Sequence, residues 1–321
     1  MTRKAIWLTW ENQRRNRELS GAFKIPLYEF TEIDKIENYL KKYIVGFAKT
    51  ICTLRITKPR IVVCQNPSIV LALLVIVLKP LIGIRVVIDA HNAGLFPLNG
   101  RSKLLNIASR FIQYNADLTI VSNEMLKKHV EKNGGRAFVL QDKIPELKGK
   151  RTRKLRGKYN ILFICTYSSD EPYEIVFKAA KLINKEIVIY VSGNFNKKEI
   201  NHYEVPENVV LTGFLTENEY VAMLNSVDAT IDLTNRENCL VCGAYESTAV
   251  GKPMILSKTR ALMEYFNQGA IFVNHTADGI ANGIEEFIKR NKELSEQIRY
   301  LKECRTIDWQ KRRIELEKIL K

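Results

Sequence analysis

Short apolar runs recur along the chain, each closed by polar residues and followed by a segment with helical spacing. Lys4–Trp10, 26–30, Arg60–Asn66, Arg85–Asn92, Ala116–Asn123 and Ala137–Leu140 predict six strands in the first half. Residues 36–56, 101–115 and 124–133 predict helices between them, and Pro67 opens a further helix that carries the run Ile69–Leu78. The strands are continuously apolar rather than alternating, and helices separate them. That combination predicts a parallel sheet covered on both faces. A second series follows, with strands at Asn160–Thr166, Glu186–Val191, Val209–Thr212, Ala229–Leu233 and Met254–Ser257. Its helices are predicted at 172–184, 216–226, 243–250, 260–267 and 277–290, ahead of a charged helical segment at 291–321.

Between the two series, residues 143–158 hold eight lysines and arginines against the single Glu146. The expected organisation is therefore an N-terminal domain over 1–145, a basic linker over 146–158 and a second domain over 159–300. A last helix, 301–321, is expected to pack back towards the first domain. Two doubly wound, Rossmann-like α/β domains would present the carboxyl ends of their strands to an interdomain cleft, where such sheets bind ligands.

Composition narrows the partners. A 321-residue chain that is 46% hydrophobic can bury cores, so a wholly disordered protein is excluded. The net charge of +15 favours anionic partners. Aromatics are not interleaved with the basic runs and no binding motif accompanies them, so nucleic acid is not the expected partner. The run Ile69–Leu78 is broken by Lys79-Pro80 and is too short to span a bilayer. The basic amphipathic helix at 36–56 and the basic linker predict contact with an anionic membrane surface. Met1-Thr2-Arg3-Lys4 leads straight into a strand-like run and the six cysteines show no paired framework. The expected setting is cytoplasmic and reducing, at the inner face of the membrane. Cys239 and Cys242 form a lone C-x-x-C, read as packing thiols rather than metal ligands.

The densest candidate chemistry lies in Glu237–Pro253, a loop and short helix ending at Gly251. Free backbone N–H groups and the helix dipole would favour an anion ahead of that helix, near Gly243. From about 158 to 290 the chain resembles the nucleotide-sugar-binding domain of GT-B glycosyltransferases, particularly family 4. The matching pieces are Val191-Ser192-Gly193-Asn194, Asn208–Leu215 with Glu219, Ser226–Asp232 and the Glu246 segment Tyr-Glu-Ser-Thr-Ala-Val-Gly-Lys-Pro. In the N-terminal half, Cys64-Gln65-Asn66-Pro67 and Ile88–Asn92 resemble segments of the β-mannosyltransferases that extend dolichol-diphosphate chitobiose. Trp10 to Leu19 is similar to bacterial polysaccharide glycosyltransferases.

The resemblance implies a GT-B fold and a site assembled from both halves. Glu246 stands where the family binds the donor's ribose, and a carboxylate can accept from two adjacent hydroxyls. The family's first acidic position falls on Asn238, with Glu237 one residue away. Backbone groups around Gly213 and Phe214 would read the base. The loop with Thr166 and Ser168 lacks the family's Arg and Lys, so Arg236 or Lys258 must supply charge for the diphosphate.

On the acceptor side, His91, following Asp89 at the end of a strand, is the candidate catalytic base, with Asn92 beside it. Arg14, Arg15 and Arg17, with Asn12, would hold an acceptor diphosphate through bidentate hydrogen bonds. His129, His202 and His275 are read as surface residues. No metal and no cofactor beyond the nucleotide-sugar are expected. The function implied is transfer of a hexose or acetylhexosamine from a nucleotide-sugar to a lipid-diphosphate-linked saccharide, in bacterial surface polysaccharide or glycan assembly. The alternatives are a nucleotide-sugar 2-epimerase of the same architecture and, more remotely, a basic nucleic-acid-binding protein.

Overall fold

The computed structural model describes residues 5–66, 68–149, 154–197 and 205–320. Lys4, Pro67, His202 and residues 150–153 of the basic segment lie outside the described residues. The chain divides into two units, one of residues up to Asp142 together with Trp309 onward, the other Lys143–Asp308.

The first unit holds β1 (Ala5–Thr9), β2 (Leu27–Glu29), β3 (Ile61–Asn66), β4 (Arg85–Ala90), β5 (Leu118–Val121) and β6 (Ala137–Val139). They form one wholly parallel sheet in the order β2-β1-β3-β4-β5-β6. Leu8, Cys64, Ile88 and Thr119 lie side by side across β1, β3, β4 and β5. The helices are α1 (Arg14–Ala22), α2 (Tyr39–Thr57), α3 (Ile69–Ile82), α4 (Asn92–Leu95), α5 (Lys103–Asn115) and α6 (Glu124–Lys132).

Alternate strand residues enter two different cores, which is why the strands read as unbroken apolar runs. Ile6, Leu8, Val62, Cys64, Val86 and Ile88 pack with Leu71 and Val75 of α3 on one face. Trp7, Val63, Val87 and Ile120 pack on the other with Leu19 of α1 and with Trp309, Leu316 and Leu320 of the chain's last helix. Pro80 does not end α3: the helix runs on to Ile82 and closes at Gly83, whose φ of +65° suits a residue without a Cβ. No helix among the described residues is long and apolar enough to cross a membrane.

The second unit repeats the plan. Strands β7 (Tyr159–Phe163), β8 (Ile187–Ser192), β9 (Val209–Gly213), β10 (Ala229–Asp232), β11 (Met254–Ser257) and β12 (Ala270–Val273) are all parallel, in the order β12-β11-β10-β7-β8-β9. The helices are α7 (Tyr173–Ala180), α8 (Glu217–Ser226), α9 (Cys242–Val250), α10 (Arg260–Tyr265) and α11 (Ala277–Leu320).

Three features differ from the sequence expectation. Strand β12 was not expected; it is four residues long, lies at the sheet edge and is only half-covered. Over the described residues, the segments 277–290 and 291–320 are one 44-residue helix, Ala277–Leu320. The basic segment is not a free linker over its described residues. Ile144 and Leu147 pack with Val241, Tyr245 and Leu256, and the Arg156 N–H donates to Tyr190 Oη at 2.8 Å.

Candidate functional site

In the N-terminal unit the polar residues gather where β1, β3 and β4 end. Arg15 enters on α1 and is almost wholly buried. Its Nε and Nη2 donate to the two oxygens of Asp89 at 2.9–3.1 Å, Nη1 donates to Asp142 at 2.5 Å, and Nη2 donates to the Leu140 carbonyl at 2.9 Å. Burial opposes the charge, but the two carboxylates outweigh it and raise the guanidinium's pKa above its ordinary range. The expected open arginine cluster is therefore not what the fold builds. Arg15 is committed inside, Arg14 pairs with Glu18 and Arg17 with Glu29. Asn12 is exposed in the preceding loop.

His91 caps the short helix α4, with its Nε2 4.0 Å from Asp89 Oδ2. Burial, partly offset by Asp89 and reinforced by Arg15, lowers its pKa, so the ring is neutral at neutral pH. Four buried polar atoms here have no protein partner: His91 Nε2, Asn92 Oδ1, Asn66 Oδ1 and Gln65 Nε2. Gly94 allows this crowding, since a Cβ there would stand 2.5 Å from the Asn66 side chain. A group of unpaired donors and acceptors at the ends of two adjacent parallel strands is what a polyhydroxylated ligand needs. Asp89, Arg15 and Asp142 hold the scaffold around it; Gln65 and Asn66, the last residues of β3, belong to a segment quoted for its resemblance, but the sequence gives them no site role.

In the C-terminal unit the donor candidates lie around β7, β9, β10 and α9. Glu246, half-way along α9, accepts from Tyr220 Oη at 2.6 Å. Phe214 is exposed beside Gly213, whose φ is +71°. Asn238 lies half-buried in the loop before α9, while Glu237 accepts from the Arg260 N–H that begins α10. Lys258 is exposed.

The anion site expected ahead of α9 is filled from within. Asp232, at the end of β10, faces the N–H groups of Gly243 and Ala244. A Cβ on Gly243 would lie 2.4 Å from its Oδ2. Burial first, then Glu171 and Glu246, push this carboxyl well above the usual carboxylate range. The loop after β7 is likewise occupied. Glu171 Oε2 accepts from the Thr166 and Ser168 N–H groups at 2.8 and 3.0 Å, and its Oε1 accepts from Thr166 Oγ1 at 2.9 Å.

Asp170 fixes the same loop, accepting from Ser168 Oγ and Thr234 Oγ1 and pairing with Arg236 at 3.2 Å. Arg236 keeps a buried Nε without a protein partner. His275 is half-buried here rather than on the surface, bonded to Ser257 Oγ and Asn235 Oδ1 at 2.8 and 2.7 Å. His129 is also partly covered, its ring tilted against Phe96 with the centroids 4.4 Å apart. Cys239 and Cys242 form no disulfide. The sequence gives Asp170, Glu171 and Asp232 no site role, because only folding brings the loops after β7 and β10 together.

Residues 146–303 match the family described as glycosyl transferases group 1. No curated protein sequence is similar enough to count as a relative. Among solved structures, Anabaena HepE in complex with UDP and glucose superposes with a TM-score of 0.77 at 13% identity, covering 99% of each chain. Sucrose-phosphate synthase from Thermosynechococcus elongatus gives 0.71 at 13%, covering 88% of this chain and 78% of its own. A Listeria monocytogenes protein described as a UDP-N-acetylglucosamine 2-epimerase gives 0.62 at 12%, covering 93% and 91%. At these identities the superpositions establish the fold, and the family match covers the C-terminal unit. The chain thus has the GT-B fold of the glycosyltransferases it superposes on, and its residues 146–303 match the group 1 glycosyl transferase family.

Proposed function

We propose that the chain transfers a hexose or acetylhexosamine from a nucleotide-sugar, with UDP as the first base to test, to a saccharide carried on a lipid diphosphate at the inner face of the cytoplasmic membrane. The product would serve surface polysaccharide or glycan assembly. The observation that carries the acceptor half is the set of unpaired buried atoms around His91. A neutral imidazole with a free Nε2 can take the proton of an attacking sugar hydroxyl. For the donor half, Glu246 accepts from the ribose hydroxyls, the exposed Phe214 ring stacks on the base, and Arg236 offers its unpaired Nε to the diphosphate. Complexes of HepE with UDP and with UDP-glucose support a uridine donor by likeness of fold. No metal takes part in this reading, and the leaving diphosphate is stabilised by the Arg236 guanidinium.

The test is a thermal-shift series with UDP-, GDP-, ADP- and dTDP-sugars, followed by transfer to a lipid-diphosphate saccharide; a ligand that binds only the folded state raises the melting temperature. UDP-sugars are expected to give the largest shift. Glu246→Ala should weaken donor binding about 10- to 100-fold, the usual value of a hydrogen bond to a charged group. Unchanged donor affinity would remove Glu246 from the ribose site. Epimer formation without any acceptor would replace transfer by the 2-epimerase reading.

Glu171 already fills the backbone cradle that a donor phosphate would use. Glu171→Gln removes a negative charge from that place and is expected to tighten UDP binding roughly tenfold by titration calorimetry. Weaker binding would mean that the carboxylate supports the loop rather than competing for it.

A further inference from the structure

We propose that the outer face of the α2–α3–α5 layer in the N-terminal unit is a seat for an anionic lipid bilayer, with the outward stripe of α5 as its apolar centre. Helix α5 carries its polarity the wrong way round for a helix facing water. Its buried side holds Ser109, Ile112 and Gln113. Ser109 Oγ donates to the Gly94 carbonyl at 2.8 Å, Gln113 Nε2 donates to Ser109 Oγ at 2.9 Å, and Gln113 Oε1 accepts from Asn133 Nδ2 at 2.8 Å. Its outer side holds Leu104, Ile107, Phe111 and Tyr114, which are 76%, 64%, 47% and 68% exposed. Their spacing of three, four and three residues makes one continuous stripe.

The neighbouring helices extend it. Helix α3 packs against both α5 and α2. It leaves Val77 and Leu81 exposed, and α2 leaves Leu40 and Ile44 exposed. An apolar area of this breadth on one face marks an interaction surface.

Charge names the partner. Between Glu37 and Asp117 the chain contains eleven lysines and arginines and a single acidic residue, Asp89. Asp89 is fully buried and paired with Arg15. The three helices therefore carry no carboxylate of their own; Glu32 and Asp117 beside them pair with Lys49 and Lys79, while Lys41, Arg101, Lys103 and Arg110 are exposed. Large apolar side chains flanked by cations and free of anions are the pattern of an interfacial element, in which apolar groups enter the headgroup boundary and cations meet lipid phosphates. The basic segment 143–158 belongs to the other unit and is not needed for this surface.

The proposal deepens the reading of a lipid-borne acceptor, but its test does not require transfer. The full chain is sedimented with vesicles of phosphatidylcholine containing phosphatidylglycerol and with vesicles of phosphatidylcholine alone. At low salt, partition onto the anionic vesicles is expected to be at least tenfold stronger, and added salt should weaken it. The triple variant Leu104→Ser/Ile107→Ser/Phe111→Ser should lose at least tenfold of that partition while its melting temperature and nucleotide-sugar binding stay as in the parent chain. No binding by the parent chain, or equal binding by the triple variant, overturns the proposal. A parent dimer that the triple variant dissolves into monomers in sedimentation equilibrium overturns it in favour of self-association. Vesicle binding without sugar transfer would leave this surface standing and count only against the acceptor reading.

Discussion

Replacing Arg15 with Ala is expected to destabilise the N-terminal unit by about 3–5 kcal/mol, the usual cost of leaving buried charges without their partner. Two carboxylates depend on this guanidinium: Asp89 is fully buried and Asp142 is half-buried. Against a typical total of roughly 5–15 kcal/mol, that loss lowers the unit's melting temperature by on the order of 10 °C in a calorimetric scan. Arg15→Lys should recover only part of it, because an ammonium cannot bond both oxygens of Asp89 and reach Asp142 at once. A shift of less than 2 °C for the alanine variant would show that water replaces the guanidinium and that the pair is not needed for folding.

The same network sets the stability's dependence on pH. Burial opposes the charge on Asp142, but Arg15 and then His91 prevail and lower its pKa from 3.8. His91 is lowered from 6.5, chiefly by burial. Both folded values lie below the unfolded ones, so both groups contribute stability that is fully present above the unfolded pKa and lost as pH falls through the folded value. Stability should begin to decline below about pH 6.5 through His91, and again below about pH 3.8 through Asp142.

His91→Ala is expected to reduce kcat/KM by about 10²- to 10⁴-fold, the range for losing a general base, with donor affinity unchanged. The ring is positioned by its place at the start of α4, where its carbonyl accepts from the Gly94 N–H at 2.9 Å, and by the Asp89 carboxylate beside it. A neutral ring is the form that accepts a proton. The lowered pKa therefore puts the acidic limb of the kcat/KM profile below pH 6.5 in the parent chain, and that limb disappears in His91→Ala. A loss under twofold, or an acidic limb above pH 6.5, would assign the proton to another group. Any folded Arg15→Ala protein should show the limb moved upward, because Arg15 is one of the charges that disfavour protonated His91.

Much of this protein is legible from residue order alone. Buried parallel strands must be apolar on both faces, so Ile61–Asn66 and Arg85–Ala90 announce themselves without an alignment. Strand β12 does not, because four half-covered residues at a sheet edge carry too little periodicity. Segment 291–321 was separated from the helix before it only by its charge, which does not interrupt backbone hydrogen bonding. His91 stands out because a polar residue ending a buried strand is conspicuous in sequence, whereas Glu246 takes its role from the family resemblance.

Local pattern by itself determined two parallel α/β sheets, and the segments quoted from residues 158–290 carried the resemblance to a nucleotide-sugar-binding domain. Tertiary structure alone decided what each charge does. Arg15 and Asp89 are 74 residues apart and Arg15 and Asp142 are 127 apart, yet they form one buried cluster, turning an expected ligand-binding arginine into part of the scaffold. Asp232 and Glu171 fill the two backbone cradles that the sequence left open for a diphosphate. The physical reason is range. Hydrophobic periodicity is a local property of the chain, whereas the partner of a buried charge is fixed only when distant segments meet.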